Sequence, residues 1–483
     1  MKRSPFMSEI NIGNDIVALF HSLDMQVLYV DRKKYKEIDS FLLESNNKLN
    51  LSSFIVNEDF NTTSYLEALA QELDTNNFEF TTLKMFVTTA CNLDCKYCLI
   101  EKNLQIRNCF SDNLDFDRAK QILIYFSSAT LKSPKQNRTL MLYGGEPLIN
   151  EINLKKIISE AREMEKKGLF NGDLEIVLES NGILITQEIA DFLREKQIFI
   201  IISIDGTKDS HDSYRIDKDG VGSWEQAVNG YKILKDAGCL VVISTVFTDK
   251  FAQDYKKNLN FLLESLNPYS IGLNLYHVLD GQEIENDKTM DIINRYIESW
   301  EYASERGLYI EHIMRRIRPL VEKKIRLKDC GACGKRMVSD CNGNIGICEG
   351  LVGNDAYFFK RDSKESLSED QVFIEWSKRT QLRMAECIGC CAQGICGGGC
   401  VYNGLIINGN INTPDPYICE ASKKLVQWAV RCWYEKSDVN KRICDTGYAI
   451  LLDNERSVIL GNTPIHPAIP LQSISKEREY IKG

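Results

Sequence analysis

Cys91, Cys95 and Cys98 stand in Thr88-Thr89-Ala90-Cys91-Asn92-Leu93-Asp94-Cys95-Lys96-Tyr97-Cys98, a C-x3-C-x2-C triplet directly after the apolar run Leu83-Lys84-Met85-Phe86-Val87. Three thiolates on one loop suit three irons of a 4Fe-4S cluster, because cysteine thiolate is the usual ligand of such clusters. The fourth iron then lacks a protein ligand, and a small chelating molecule can take that place. Zinc would ask for a fourth ligand close by, and the next cysteine, Cys109, is eleven residues on. A second group, Gly144-Gly145-Glu146-Pro147, follows the apolar run Arg138-Thr139-Leu140-Met141-Leu142-Tyr143. Glycine lets backbone approach a ligand closely, and Glu146 offers a carboxylate to an amino group. Each motif alone has a plainer reading: unrelated thiols in a chain with 17 cysteines, or an ordinary strand-to-helix turn.

A second cysteine field lies far downstream. It reads Cys387-x2-Cys390-x5-Cys396-x3-Cys400, with Gly397, Gly398 and Gly399 inside it. Upstream stand Cys330-Gly331-Ala332-Cys333 and then Gly343-x4-Cys348, and downstream stands Cys419. A zinc ribbon from Cys330, Cys333, Cys387 and Cys390 is the competing reading. It would leave Cys396, Cys400 and Cys419 unexplained. Cys109, Cys239, Cys391, Cys432 and Cys444 receive no role. Cys239, at the start of an apolar strand, reads as a small buried hydrophobe, and Cys391 could exchange with Cys390 as a ligand.

These residues need a scaffold. A chain of 483 residues, 43% hydrophobic and 26% charged, supports two or three domains. Apolar β-rich runs at 83–88, 138–143, 174–179, 198–204, 240–247 and 271–277 alternate with amphipathic stretches at 115–130, 152–168, 186–196, 223–237 and 251–266. This rhythm predicts an α/β fold, a parallel sheet with helices outside and functional loops at the strand C-termini. The expected organisation is an N-terminal α+β module (1–81), a core (82–284), a helical bridge (285–329), a cysteine-rich domain (330–444) and an extension (445–483). No apolar run reaches membrane-spanning length, and the basic N-terminus has no apolar signal region after it. The formal charge of −9 argues against a nucleic-acid binder. Abundant cysteine without a signal peptide points to a reducing cytoplasm and to metal ligation.

Together the first two motifs, with Tyr97 between the last two cysteines, resemble the radical S-adenosylmethionine (SAM) superfamily over roughly 82–280. The resemblance implies a partial (β/α)6 barrel, a SAM-binding cluster on Cys91, Cys95 and Cys98, and cleavage of SAM to a 5′-deoxyadenosyl radical. It implies that Gly144, Gly145, Glu146 and Pro147 hold the methionyl amine, and that Ser180, Asn181, Ser203 and Asp205 contact the ribose and methionyl groups. Arg215, in His211-Asp212-Ser213-Tyr214-Arg215, resembles an arginine near the SAM carboxylate. The second field resembles the SPASM extension of peptide maturases, which implies two auxiliary clusters and three 4Fe-4S clusters in all. One would take Cys387, Cys390, Cys396 and Cys419. The other would take Cys330, Cys348 and Cys400 with Cys333, for which Cys341 competes, or would keep an open iron. Glu349 follows Cys348 where sulfatase-maturing relatives carry a proton-accepting acid, so a general-base role is expected of it.

The preferred reading is a maturase that modifies a ribosomally made precursor peptide by forming a thioether, a carbon–carbon crosslink or a backbone excision. Electrons would come from an external donor such as flavodoxin or ferredoxin, with no membrane partner. The alternatives are an anaerobic sulfatase-maturating enzyme forming formylglycine and, from another class, a non-catalytic iron–sulfur electron carrier. Residues 1–81 read either as a cap or as a module capturing the leader peptide by strand addition. The basic run 315–328 reads as a solvated face or a steering surface.

Overall fold

The computed structural model describes residues 1–45, 51–74, 78–107, 112–131, 134–275, 286–360 and 366–467. Cys109 and residues 468–483 of the expected C-terminal extension lie outside the described residues. The chain divides into two units that interleave along the sequence. One gathers Met1–Thr75, Glu285–Cys330 and Arg379–Ile465, and the other Asn76–Ile284, Gly331–Lys378 and His466–Gly483.

In the first unit a hairpin of two antiparallel strands gains a strand on each side. β1 (Met7–Ile12), β2 (Ile16–His21) and β3 (Val27–Asp31) form an antiparallel meander. Gly13 opens the first turn at φ +60°, a conformation glycine adopts without steric cost. Val17, Leu19, Leu28 and Val30 pack one face against Ile38 and Leu42 of the helix Ile38–Ser45. On the other face Tyr29 donates to the Val430 carbonyl at 2.8 Å, in the helix Pro416–Lys436.

The second unit is built on a parallel sheet. β4 (Thr82–Thr88), β5 (Arg138–Gly144), β6 (Leu174–Ser180), β7 (Phe199–Ser203), β8 (Leu240–Val246) and β9 (Ile271–Asn274) pair in sequence order, all parallel. This is the expected α/β core, six parallel strands of a partial barrel. The period of two along each strand separates its faces. Leu140, Leu142, Ile176, Leu178, Ile200, Ile202, Ile243 and Leu273 are fully buried on one face. Their neighbours Tyr143, Glu179, Ser203, Ser244 and Asn274 stand half-buried on the other. The expected helix 251–266 is broken into Asp249–Gln253, Tyr255–Asn260 and a π-helical turn Phe261–Leu266. The expected strand 271–277 ends at Asn274, and residues 276 and 277 lie outside the described ones.

A seventh parallel strand was not foreseen. β10 (Arg336–Ser339) pairs with β4, setting Val338 beside Lys84, and β11 (Ile345–Gly346) and β12 (Phe358–Phe359) follow antiparallel. Four residues flanked by charge and cysteine give no strand signal of their own. Pairing with an already formed edge supplies the stability that propensity lacks.

β13 (Tyr448–Ile450) returns to the first unit and pairs with β3, giving the order β13-β3-β2-β1. The two edges of this sheet differ. Asp31 donates to the Gly447 carbonyl and Leu451 to that of Val27, so Tyr448 and Ile450 turn their backbone groups outward. Thr446 Oγ1 accepts from Tyr448 N at 3.2 Å and donates to its carbonyl at 2.6 Å, and Arg442 Nη2 donates to the Ile450 carbonyl at 2.9 Å. This edge is capped by side chains. At the other edge, His21 bonds toward β3 and Ser22 toward Phe6. The alternation therefore turns the N–H and C=O of Glu9 and Asn11 outward. Among the described residues nothing pairs with them. Among those residues, too, no helix is long and apolar enough to cross a membrane.

Candidate active site

The cysteine loop leaves β4 through an irregular register between Phe86 and Thr88. Asn150 Nδ2 donates to the Val87 carbonyl there at 3.0 Å. The loop is strapped along its length to residues 213–217. Asp94 N donates to the Ile216 carbonyl at 2.8 Å, Lys96 N to that of Tyr214 at 3.0 Å, and Lys96 Nζ to that of Ser213 at 2.7 Å. Cys98 then caps the helix Leu99–Ile106, its sulfur accepting from Glu101 N at 3.4 Å. Leu93 N likewise donates to Cys91 Sγ at 3.5 Å.

Burial pushes the Cys91 and Cys95 thiols up to about 11 and about 12. Loading a metal group there therefore releases protons. Among the described residues no three His, Cys, Asp or Glu side chains converge as one metal ion requires. The thiolates of a 4Fe-4S cluster each take a different iron, so a loop carrying three thiols, Cys95 buried and Cys91 and Cys98 half-buried, suits that group.

The glycine motif packs against the cysteine loop. A Cβ on Gly144 would sit 2.0 Å from the Thr88 carbonyl oxygen, and one on Gly145 2.1 Å from that of Ala90. Gly145 N donates to Thr88 O at 2.9 Å and Glu146 N to Ala90 O at 2.8 Å. The glycines let the end of β5 lie against the cysteine loop. Glu146 is fully buried. Its carboxylate accepts from Leu148 N at 3.1 Å, Ser180 Oγ at 2.9 Å and Asn181 N at 2.8 Å. Burial raises this carboxyl to about 7 against the pull of those donors. Three of its roughly four acceptor positions are in use, so Glu146 first ties β5 to β6. Asn181 Nδ2 in turn donates to Asn92 Oδ1 at 2.7 Å, inside the cysteine loop. Asn92 escaped the sequence reading because nothing marks it apart from its neighbours.

At the end of β7, Asp205 is the hub of a buried network. Arg215 Nε donates to Oδ2 at 3.0 Å, the Tyr97 hydroxyl donates to the same oxygen, and Val246 N donates to Oδ1 at 2.9 Å. The Arg215 guanidinium lies 5.4 Å from the Tyr97 ring centre. Among the described residues its Nη atoms make no hydrogen bond. His211 Nδ1 accepts from Asp205 N at 3.2 Å, and its Nε2 meets Ser223 Oγ at 3.0 Å. Burial lowers His211 to about 3, so it is neutral near pH 7. Tyr97, Asp205 and Arg215 thus come together. His211 and Ser223 complete the group; His211 lies in the segment already quoted for Arg215, whereas nothing in the sequence marks Ser223. Ser203 stands at the end of β7 on the half-buried face. Pro147 opens the turn Pro147–Asn150.

Deeper on that face lies a charged cluster. Lys84 Nζ is 3.2 Å from Glu349 and 3.4 Å from Glu179, and 3.6 Å from the Tyr143 ring centre. Arg336 Nη2 is 2.8 Å from Glu349. Burial alone would raise the Glu349 carboxyl, but Arg336 and Lys84 reverse that and hold it well below the usual carboxylate range. A general base works best near the operating pH. Glu349 is instead a fixed anion here, so these charges oppose the proton-accepting role expected of it.

The expected auxiliary ligands divide between the units: Cys330, Cys387, Cys390, Cys396, Cys400 and Cys419 in the first, Cys333 and Cys348 in the second. Cys341 donates to the Phe86 carbonyl at 3.5 Å. Burial first, then the neighbouring Cys396, Cys390 and Cys419, raises the Cys387 thiol. These four therefore lie within electrostatic reach of one another. Cys391 is hydrogen-bonded to Cys390, which lowers the Cys390 thiol to about 6. Ala392 N and Gly398 N donate to the sulfurs of Cys390 and Cys396 at 3.4 and 3.3 Å.

Residues 85–262 match the profile of the Radical SAM superfamily. The radical SAM cyclopropyl synthase TigE of Paramaledivibacter caminithermalis is 23% identical over 88% of this chain and 94% of that protein. A cysteine-type anaerobic sulfatase-maturating enzyme of Clostridium novyi is 24% identical over 70% of this chain and 91% of that protein. Native anSMEcpe with bound AdoMet superposes with a TM-score of 0.61 at 17% identity, over 76% of this chain and 99% of that one. Streptococcus suis SuiB bound to the precursor peptide SuiA gives 0.52 at 15% identity, over 87% and 99%. Residues 85–262 thus form a radical SAM domain, and the proteins the chain is similar to are a radical SAM synthase and a sulfatase-maturating enzyme.

Proposed function

We propose that the chain is a peptide maturase that uses the SAM radical to abstract hydrogen from a ribosomally synthesised precursor peptide. A 4Fe-4S cluster on Cys91, Cys95 and Cys98 with bound SAM supplies one-electron cleavage of a carbon–sulfur bond and a 5′-deoxyadenosyl radical. The chain's own residues bind and orient. Arg215, held by Asp205 through Nε, offers its Nη groups to the methionyl carboxylate. The polypeptide around Gly145 and Asn181 meets the methionyl amine and the ribose. Lys84, Arg336 and Glu349 present fixed charges to the substrate side. Two auxiliary clusters, three clusters in all, would accept an electron or hold substrate sulfur. The donor would be a flavodoxin or ferredoxin, and the setting a reducing cytoplasm.

The observation that carries the peptide reading is the open β1 edge, where Glu9 and Asn11 offer unpaired backbone groups to an extended leader segment. The likeness to a sulfatase-maturating enzyme favours formylglycine formation as the second reading. Asn11→Pro removes one outward N–H without touching the β1–β2 ladder, as proline is tolerated at such an edge. Precursor-peptide affinity should fall about tenfold, roughly the 1.4 kcal/mol of one lost hydrogen bond, while uncoupled 5′-deoxyadenosine formation is kept. Equal affinity, or turnover of a sulfatase peptide with no precursor binding, would favour the second reading.

A further inference from the structure

Arg379 is 0% exposed, and its guanidinium is held by backbone carbonyls. Nε donates to Ile411 O at 2.5 Å, Nη1 to Gly399 O at 3.2 Å, and Nη2 to Gly398 O at 2.7 Å and Thr413 O at 3.0 Å. Among the described residues no carboxylate lies within ion-pair distance. A charge taken out of water needs an opposite charge nearby as well as hydrogen bonds. The surroundings do not provide one. Arg316, also buried, shares the single carboxylate of Asp329 with Arg315 and Arg326, at 2.6, 3.7 and 3.1 Å. Asp329 N donates to the Gly397 carbonyl at 3.1 Å. The run 315–328 is thus no solvated face. It brings further positive charge to the glycine segment between Cys396 and Cys400. Asp415, a second acid against that segment, is committed to the backbone N–H groups of Cys400, Tyr417 and Ile418 and to Asn403.

The carbonyl of Gly398 accepts from Arg379 while its N–H donates to Cys396 Sγ at 3.3 Å. The arginine therefore fixes the peptide group directly after the one whose N–H points at a proposed cluster ligand, while Asp329 N holds that pointing group through the Gly397 carbonyl. We propose that Arg379 is a positioning residue for the auxiliary cluster of Cys387, Cys390, Cys396 and Cys419, and that the cluster's negative charge balances its buried cation. The inference rests on the auxiliary-cluster reading above. A cluster held by four thiolates is anionic and gains one more negative charge on reduction. A fixed cation beside it, with an N–H directed at its sulfur, raises the reduction potential.

The test uses the full chain, reconstituted anaerobically, with Cys91, Cys95 and Cys98 replaced by alanine so that only auxiliary clusters remain. Iron is counted first, and a chain without auxiliary iron sinks the cluster reading before any Arg379 variant is made. Dithionite titration followed by electron paramagnetic resonance then gives the midpoint potential. Arg379→Gln should make reduction at least tenfold less favourable, a fall of about 59 mV for a one-electron couple. Arg379→Lys, which keeps the charge, should move it by less than half of that. An unchanged potential in Arg379→Gln overturns the inference. If Arg379→Gln holds no cluster, Arg379→Lys decides. A near-wild-type potential there supports the charge balance, and a shifted potential or a lost cluster in the folded variant overturns it.

Discussion

Each cysteine field has a buried arginine beside it, and the two are held in opposite ways. Arg215 is ion-paired with Asp205 at 3.0 Å and keeps its Nη groups clear of protein hydrogen bonds. Arg379 has every nitrogen committed to carbonyl oxygens and, among the described residues, no carboxylate partner. The first arrangement suits a ligand that comes and goes, because the site is charge-balanced before the ligand arrives. The second suits a resident anion, because the site is balanced only when that anion is present. The fold separates them as well: one field ends a parallel strand, and the other is a glycine-rich loop tied into helices.

The comparison can be broken most directly at the first field. Alanine at Cys91, Cys95 and Cys98 together should abolish 5′-deoxyadenosine formation and remove about four irons per chain. Product from that variant would show that SAM is cleaved elsewhere. Arg215→Lys keeps the charge but loses the planar fork. SAM affinity should drop about 30-fold, from roughly 2 kcal/mol for a charge-assisted hydrogen bond, with iron content unchanged. An unaltered dissociation constant would remove Arg215 from the ligand site.

The smallest effect concerns Glu146. Its folded pKa of about 7 lies above that of an unfolded glutamate, near 4.3. A raised carboxyl favours the protonated folded state, so stability falls as pH rises through about 7. Between pH 6 and 8 the wild-type protein should lose about 1 kcal/mol that Glu146→Gln does not lose. Parallel urea-unfolding curves for the two proteins over that window would contradict the burial argument.

Much of this was legible because it is local. Thiols at short spacing, a glycine pair after an apolar run and six period-two strands each carry their signal within a dozen residues. What was missed depends on distant partners. Lys84 reads as a blemish in Leu83–Val87 until β10 delivers Arg336 and the turn after β11 delivers Glu349 to it. Gly144 and Gly145 read as ligand contacts, whereas the neighbour that excludes a side chain is the cysteine loop itself. Arg316 looked like one of a solvated basic row because Asp329, thirteen residues on, could not be paired with it from sequence. Arg379 carried no signal, since its partners are backbone carbonyls that every residue possesses.

The central claim is that the second field acts after SAM cleavage, on the substrate radical. The direct measurement is 5′-deoxyadenosine and modified peptide, counted together, in a soluble variant with Cys387→Ala and Cys390→Ala that retains the Cys91/Cys95/Cys98 cluster. The account predicts continued 5′-deoxyadenosine with no modified peptide. Modified peptide at the wild-type rate would contradict it, and would make the second field a structural element only.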